Sequence, residues 1–303
     1  MPNPSMRNAN PSHASTLGPV TGAIFASLMM TGCAVGAGGC NEAKFTAQQT
    51  RTLTASAESS LRIENMVGDV KVVADPAASG VTMELTLIGK GTSQAKADEA
   101  LRDIELNVND PAGDTGVTAT AKHPSNGGGW SGKQWEVRWV VTAPPSVKID
   151  VDDDVGNITI VGFERGAKVS TDVGDVKVSG VMGGVVARTD VGNAVVNAQG
   201  PADVTTNVGN VRLELMGESS NIRASADVGS IHLVMPPEWA GKVTGKSDVG
   251  EVKTVVPGLA TKSDMGGGGR VSGNVGSGSS SATLSADVGS ITIEQREVKR
   301  ALN

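Results

Sequence analysis

The sequence predicts an all-β fold: a β-solenoid-like stack of short strands meeting at glycine corners, with an irregular β cap and one short helix on its N-terminal side. Three observations predict it. A unit built around Val-Gly recurs through the second half of the chain. From residue 151 onward Val recurs at almost every apolar position. Aromatics are 2% of the 303 residues, with no Tyr, while Gly reaches 40. A thick globular core draws its buried area from large aromatic and aliphatic side chains. β-Branched residues suit thin stacked layers instead, because they pack well on a pleated surface.

Residues 1–32 read as an export signal of the lipoprotein type. A polar start carrying Arg7 precedes an apolar run at 17–30, and Thr31-Gly32-Cys33 follow. The run is shorter than the roughly 20 residues that a spanning helix needs, and the order of segments is that of a secretory signal. Met30-Thr31-Gly32-Cys33 resembles the bacterial lipobox, which implies lipidation at Cys33. The alternative is plain export with a Cys33–Cys40 disulfide. No Cys lies beyond residue 40, so the folded part has neither a disulfide framework nor a thiolate metal site. Residues 33–50 read as a flexible tether.

Residues 51–145 form an N-terminal β segment that caps the stack. Strand-like runs fall at 60–64, 67–74, 81–88, 116–122 and 134–142. Residues 92–103 read as a helix with Thr92 or Ser93 as N-cap.

Residues 146–295 carry the repeat, and 296–303 are a tail. The repeat glycines are Gly156, Gly174, Gly192, Gly209, Gly229, Gly250 and Gly289, at gaps of 18, 18, 17, 20, 21 and 39. An earlier copy sits at 66–72, and an NVG at 274–276 reads as a decayed one. Small residues (Thr171, Thr189, Thr206, Ala226, Ser247, Ala286) stand two places before the Val that precedes each glycine. Alternation puts both on one face. Val176, Ala194, Val211, Ile231, Val252 and Ile291 stand two places after the glycine. The two parities fit only if the chain bends at the glycine, the residue that permits a bend at low steric cost. Each unit is then two short strands, and stacked units share a core that one unit cannot close alone. Seven or eight coils at strand spacing make a rod about 35 Å long.

The repeats resemble the bacterial "putative adhesin" family of β-strand-repeat domains, a domain of unknown function. The resemblance covers about 59–293 and rests on VTAPPSVKIDVDDDVGNITIVGFERG at 141–166, the T-D-V-G-[DN]-[VA] units, and LVMPPEWAGKVTGKSDVG at 233–250. It implies an exported, often membrane-tethered repeat domain. It brings no substrate and no functional residues.

A net charge of −6 with scattered Lys and Arg argues against nucleic acid, which needs a basic patch. Gly127, Gly129, Gly132 and Lys133 imitate a phosphate loop, but the following QWEVRWVV alternates as a strand, whereas phosphate needs a helix N-terminus. The histidines are isolated, no nucleophile motif is present, and Asp150, Asp152, Asp153 and Asp154 fail the EF-hand spacing. The sequence therefore predicts a protein that is not an enzyme and needs no cofactor. One row remains: Asp154, Asp172, Asp190, Asn207, Asp227, Asp248 and Asp287, two before each glycine. Parity points them outward as a ladder of like charges, repelling by about 1 kcal/mol per neighbour in water. Three readings compete: Asx-turn bonding to the corner backbone, shared calcium, or pairing with Lys177, Arg212, His232 and Lys253, three after the glycine. The expected function is a putative adhesin or scaffold of the cell envelope. It is held to a membrane by a lipid anchor, the outer membrane in a diderm host, with a protein or surface-polymer partner. The alternatives are a calcium-stabilised structural repeat and an envelope regulatory protein with a protein partner.

Overall fold

The computed structural model describes residues 45–55, 59–109, 116–122, 133–217, 221–264 and 266–296. The signal, Cys33, the tether up to residue 44 and the glycine-rich loop through Gly132 lie outside the described residues. The fold is all-β with one helix, built from two open sheets of eleven and twelve strands.

Eight repeat tiers join the two sheets. Each tier gives its first arm to one sheet, turns at a glycine, and gives its second arm to the other. In spatial order the first arms are Ser60–Val67, Lys148–Val155, Ala167–Val173, Val185–Val191, Ala202–Val208, Asn221–Val228, Ser280–Val288 and Gly241–Val249. The second arms are Val70–Ala74, Ile158–Val161, Val176–Val181, Ala194–Ala198, Val211–Leu215, Ile231–Met235, Ile291–Gln295 and Val252–Thr254. Neighbouring arms pair parallel and in register, so Val155, Val173, Val191 and Val208 lie side by side. Parallel pairing of like positions makes every repeat residue a row along the stack. The inner rows form the core. In tier 3, for example, Ala167, Val169, Val176, Val178 and Val181 are all buried.

The ends are finished differently. At the N-terminal end Phe45–Ala55, Val81–Gly91 and Lys133–Ala143 pair antiparallel and extend one sheet. Val117–Lys122 and Glu105–Asn109 extend the other. The helix Gln94–Arg102, capped by the Ser93 hydroxyl accepting from Lys96 N, lies across Val81–Gly91. It seats Ala97 against Gly89 and Gly91, where any Cβ would overlap the helix backbone. At the other end Leu259–Ser263 and Gly269–Val275 add two antiparallel strands.

Four expectations are corrected. Residues 45–50 belong to a strand paired with Val81–Gly91, so the tether ends sooner than its composition suggests. Glu105–Asn109 is a strand that its half-buried, polar sequence hid. Asn274 and Val275 finish an antiparallel strand and Gly276 turns the chain at φ +60°, so NVG there is no decayed repeat. The tiers also depart from chain order: Ser280–Gln295 sits between Asn221–Met235 and Gly241–Thr254.

Candidate functional site

The repeated corner is the surface that the sequence singles out. Its rows are built from the inside outward. Three places before the glycine, Thr171, Thr189, Thr206 and Ser247 are buried. Their hydroxyls donate to the glycine carbonyl of the neighbouring tier: Thr189 Oγ1 to Gly174 O at 2.9 Å, Thr206 Oγ1 to Gly192 O at 3.0 Å and Ser247 Oγ to Gly289 O at 2.7 Å. The small polar residues therefore satisfy a backbone acceptor inside the corner.

The glycines come next. Gly174, Gly192, Gly209, Gly229, Gly250 and Gly289 have φ between +146° and +154°. A Cβ on any of them would overlap the carbonyl oxygen of the glycine one tier away. Close stacking of carbonyl on Cα, more than the bend, fixes the residue type. Gly156 shares the overlap without a positive φ.

The residue after the glycine forms a ladder. Asp69 Oδ1 accepts from Asn157 N and Nδ2, both at 3.0 Å. Asn157 Oδ1 accepts from Asp175 N at 2.9 Å, and Asp175 Oδ1 from Asn193 N at 2.8 Å. Asn193 Oδ1 accepts from Asn210 N at 3.1 Å, and Asn210 Oδ1 from Ser230 N at 2.9 Å. The corner amides are thus satisfied between tiers rather than within an Asx turn of the preceding Asp row. Sequence reading passed over this row, although Asp, Asn or Ser fills it in seven of eight copies.

The valines before the glycines correct the parity argument. Val155, Val173, Val191, Val208, Val228, Val288 and Val249 are 46–55% exposed, while the small residue two places earlier is buried. The backbone turns at the Asp-Val step, so alternation fails there and Val points out from the corner. Six intervals at strand spacing make this apolar stripe about 29 Å long. Beside it run Asp154, Asp172, Asp190, Asn207, Asp227, Asp287 and Asp248, all exposed as expected. Asn207 Nδ2 donates to Asp190 Oδ1 at 3.1 Å, and Lys246 pairs with Asp248. Burial, and then the Asp172 charge, push the Asp154 carboxyl up from its ordinary range.

The predicted basic partners sit elsewhere. Lys177, Arg212, His232 and Lys253 lie on the second arms, beyond the corner. Arg212 meets His232 at 2.8 Å, His232 lies 3.1 Å from Glu294, and Lys253 pairs with Glu251 at 2.8 Å. Among the described residues no ion pair joins them to the Asp row. Nor do three or more His, Cys, Asp or Glu side chains gather there to hold a metal.

Asp153 breaks the pattern of its row. It stands where later tiers have Thr, and it is 1% exposed. Asn65 Nδ2 donates to its Oδ1 at 2.9 Å, while Asn65 Oδ1 accepts from Trp139 Nε1 at 3.1 Å. Oδ2 has no partner. Burial, reinforced by the charges of Asp154, Asp69 and Asp152 against the Asn65 hydrogen bond, pushes the carboxyl up to about 7. Threonine at this place in tiers 3 to 5 donates to the glycine carbonyl of the neighbouring tier; here that carbonyl, Gly68 O, accepts from Asn65 Nδ2 at 2.8 Å. As for sugar-stacking platforms, Trp139 and Trp239 are buried and Trp135 is half-buried.

No family model matches the sequence, and no curated protein matches it. Solved structures do. A Bacteroides fragilis protein described as a "putative adhesin" matches with TM-score 0.43 at 15% identity, over 82% of this chain and 97% of that one. A Clostridium sporogenes "putative cell adhesion protein" matches with TM-score 0.33 at 13% identity, over 82% and 100%. A Parabacteroides distasonis "putative lipid binding protein" matches with TM-score 0.31 at 12% identity, over 82% and 97%.

Proposed function

We propose that this chain is an exported, lipid-anchored envelope protein whose repeat stack, a β-solenoid in form, is a binding module of adhesin type and not a catalyst. The corner edge carries the reading. It presents seven exposed valines in one line beside a line of carboxylates. Exposed apolar side chains that are contiguous and rimmed by polar groups mark interaction surfaces. Such an edge suits an apolar surface carrying positive charge. The buried part of the corner is occupied with hydrogen bonding and leaves the valines no structural duty.

Replacing Val173, Val191 and Val208 by Ser tests this. The side chains are half exposed, so the fold should keep its stability to within about 0.5 kcal/mol per site. Adherence of bead-coupled protein to intact host cells should drop. Undiminished adherence of the triple variant would show that binding lies elsewhere. Anchoring is tested separately: Cys33→Ser should move the protein from the membrane fraction to the soluble one. Ala34, in place of an inner-membrane retention Asp, favours the outer membrane in a diderm host.

A calcium-stabilised repeat is the second reading. It is favoured by the exposed row of Asp154, Asp172, Asp190, Asp227, Asp287 and Asp248, one carboxylate per tier.

A further inference from the structure

The seventh tier in space is the last in sequence. After forming tier 6 (Asn221–Met235) the chain leaves a slot, builds tier 8 (Gly241–Thr254), and adds the antiparallel pair Leu259–Ser263 and Gly269–Val275. It then crosses back through Gly276–Ser279 and fills the slot with Ser280–Gln295. Both arms of the insert are bonded on both sides. Ser280–Val288 pairs in register with Asn221–Val228 and with Gly241–Val249. Ile291–Gln295 pairs with Ile231–Met235 and, through Ile291–Ile293, with Val252–Thr254. Ala282, Leu284, Ala286, Ile291 and Ile293 fill the inner layer and are buried.

The insert's contacts therefore come from a segment joined to the rest of the stack by a short glycine-serine hinge, and no described strand follows it. Whatever the corner edge binds, we infer that the slot between tiers 6 and 8 takes Ser280–Gln295 from a second copy of this chain as readily as from its own. Exchange preserves the insert's hydrogen bonds and buried contacts and changes only the hinge. The hinge permits it: the four residues Gly276–Ser279 carry the chain across tier 8, a step of two strand spacings or about 9.6 Å, within their reach of roughly 13 Å. Exchange of an identical element between protomers is a low-cost route to a dimer. Anchoring many copies to one membrane face would raise the local concentration that drives it. The product is a pair of stacks tied through their eighth tiers.

Tagged cysteine variants of the full chain test the exchange, in a Cys33→Ser, Cys40→Ser background. Ser225 and Ser285 are register partners on facing arms. At strand spacing their Cα atoms fall in the disulfide range of about 4.4–6.8 Å. In one chain the pair Ser225→Cys and Ser285→Cys should close an internal disulfide, which verifies the geometry. A Ser225→Cys chain with one tag is then incubated with a Ser285→Cys chain carrying another, and oxidised. Exchange should give a mixed-tag disulfide dimer. Its yield should exceed by about fivefold or more that of a Ser225→Cys and Ser170→Cys mixture, in which only collision can join the thiols. Equal yields in the two mixtures, after an incubation long enough for the insert's amides to exchange with deuterium, would overturn the inference.

Discussion

Replacing Asp153 by Asn should remove a pH dependence from the fold. The native carboxyl is buried, its Oδ2 has no partner, and its pKa rises from the ordinary 3.8 to about 7. Well below pH 3.8 the group is neutral both folded and unfolded. Between pH 4 and 7 the unfolded chain gives up the proton while the folded chain keeps it. The folded state then binds more protons, so stability falls as pH rises, and levels off above the folded value. Each pKa unit is worth 1.36 kcal/mol, which makes the full swing up to roughly 4 kcal/mol. Asp153→Asn keeps the acceptor for Asn65 Nδ2, places an N–H donor where Oδ2 stands, and carries no charge. Urea unfolding from pH 4 to pH 8, followed by the emission of Trp139 in the same network, measures the difference. The two proteins should be similar near pH 4, with the variant more stable by about 2–4 kcal/mol at pH 8. A difference that stays flat across this range would refute the buried-carboxyl argument.

Other perturbations separate the roles of the rows. Gly192→Ala should destabilise by about 3 kcal/mol or more, since its Cβ meets the Gly174 carbonyl as well as an unfavourable φ. Gly180→Ala, at φ +65° with space around the Cβ, should cost only about 1 kcal/mol by the same denaturation assay. Asn193→Ala removes one rung of the ladder and should cost about 1–2 kcal/mol, because the Asn210 amide loses its acceptor. Asp190→Asn should be neutral or slightly stabilising, and chelator should leave the melting curve unchanged. A clear rise in melting temperature with millimolar calcium would instead promote the calcium-stabilised repeat, since a ligand bound only by the folded state stabilises it.

The stack was legible because parallel, in-register pairing turns a repeat in sequence into rows in space. Gly174 and Gly192 mark corners in both. Ser93 was readable as a helix cap because capping is local. The valine orientation was not legible: alternation assumes a straight strand, and the turn begins one residue before the glycine. Tier order was invisible too, since Asp248-Val249-Gly250 and Asp287-Val288-Gly289 are chemically interchangeable and either could follow tier 6. Asp153 looked like one more surface carboxylate in a run of acidic residues. Only the three-dimensional neighbours Asn65 and Trp139, from 88 and 14 residues upstream, reveal it as buried.

The displaced final tier also sets an order of assembly on the emerging chain. Tiers 3 to 6 can be laid down one upon another as the chain emerges, because each finds its predecessor 17 to 20 residues back. Tier 8 cannot, for the surface that it rests on has not yet appeared. It waits until Ser281 comes to lie beside Asn221, a closure spanning 60 residues. Loop-closure entropy makes that step about 1 kcal/mol costlier than an ordinary tier-to-tier contact. The seating of Ser280–Gln295 then completes two tiers at once. A chain cut short before residue 280 would lose more than the residues removed, leaving tier 8 and the two antiparallel strands without support. Residues 280–295 thereby carry the stability of that end of the stack.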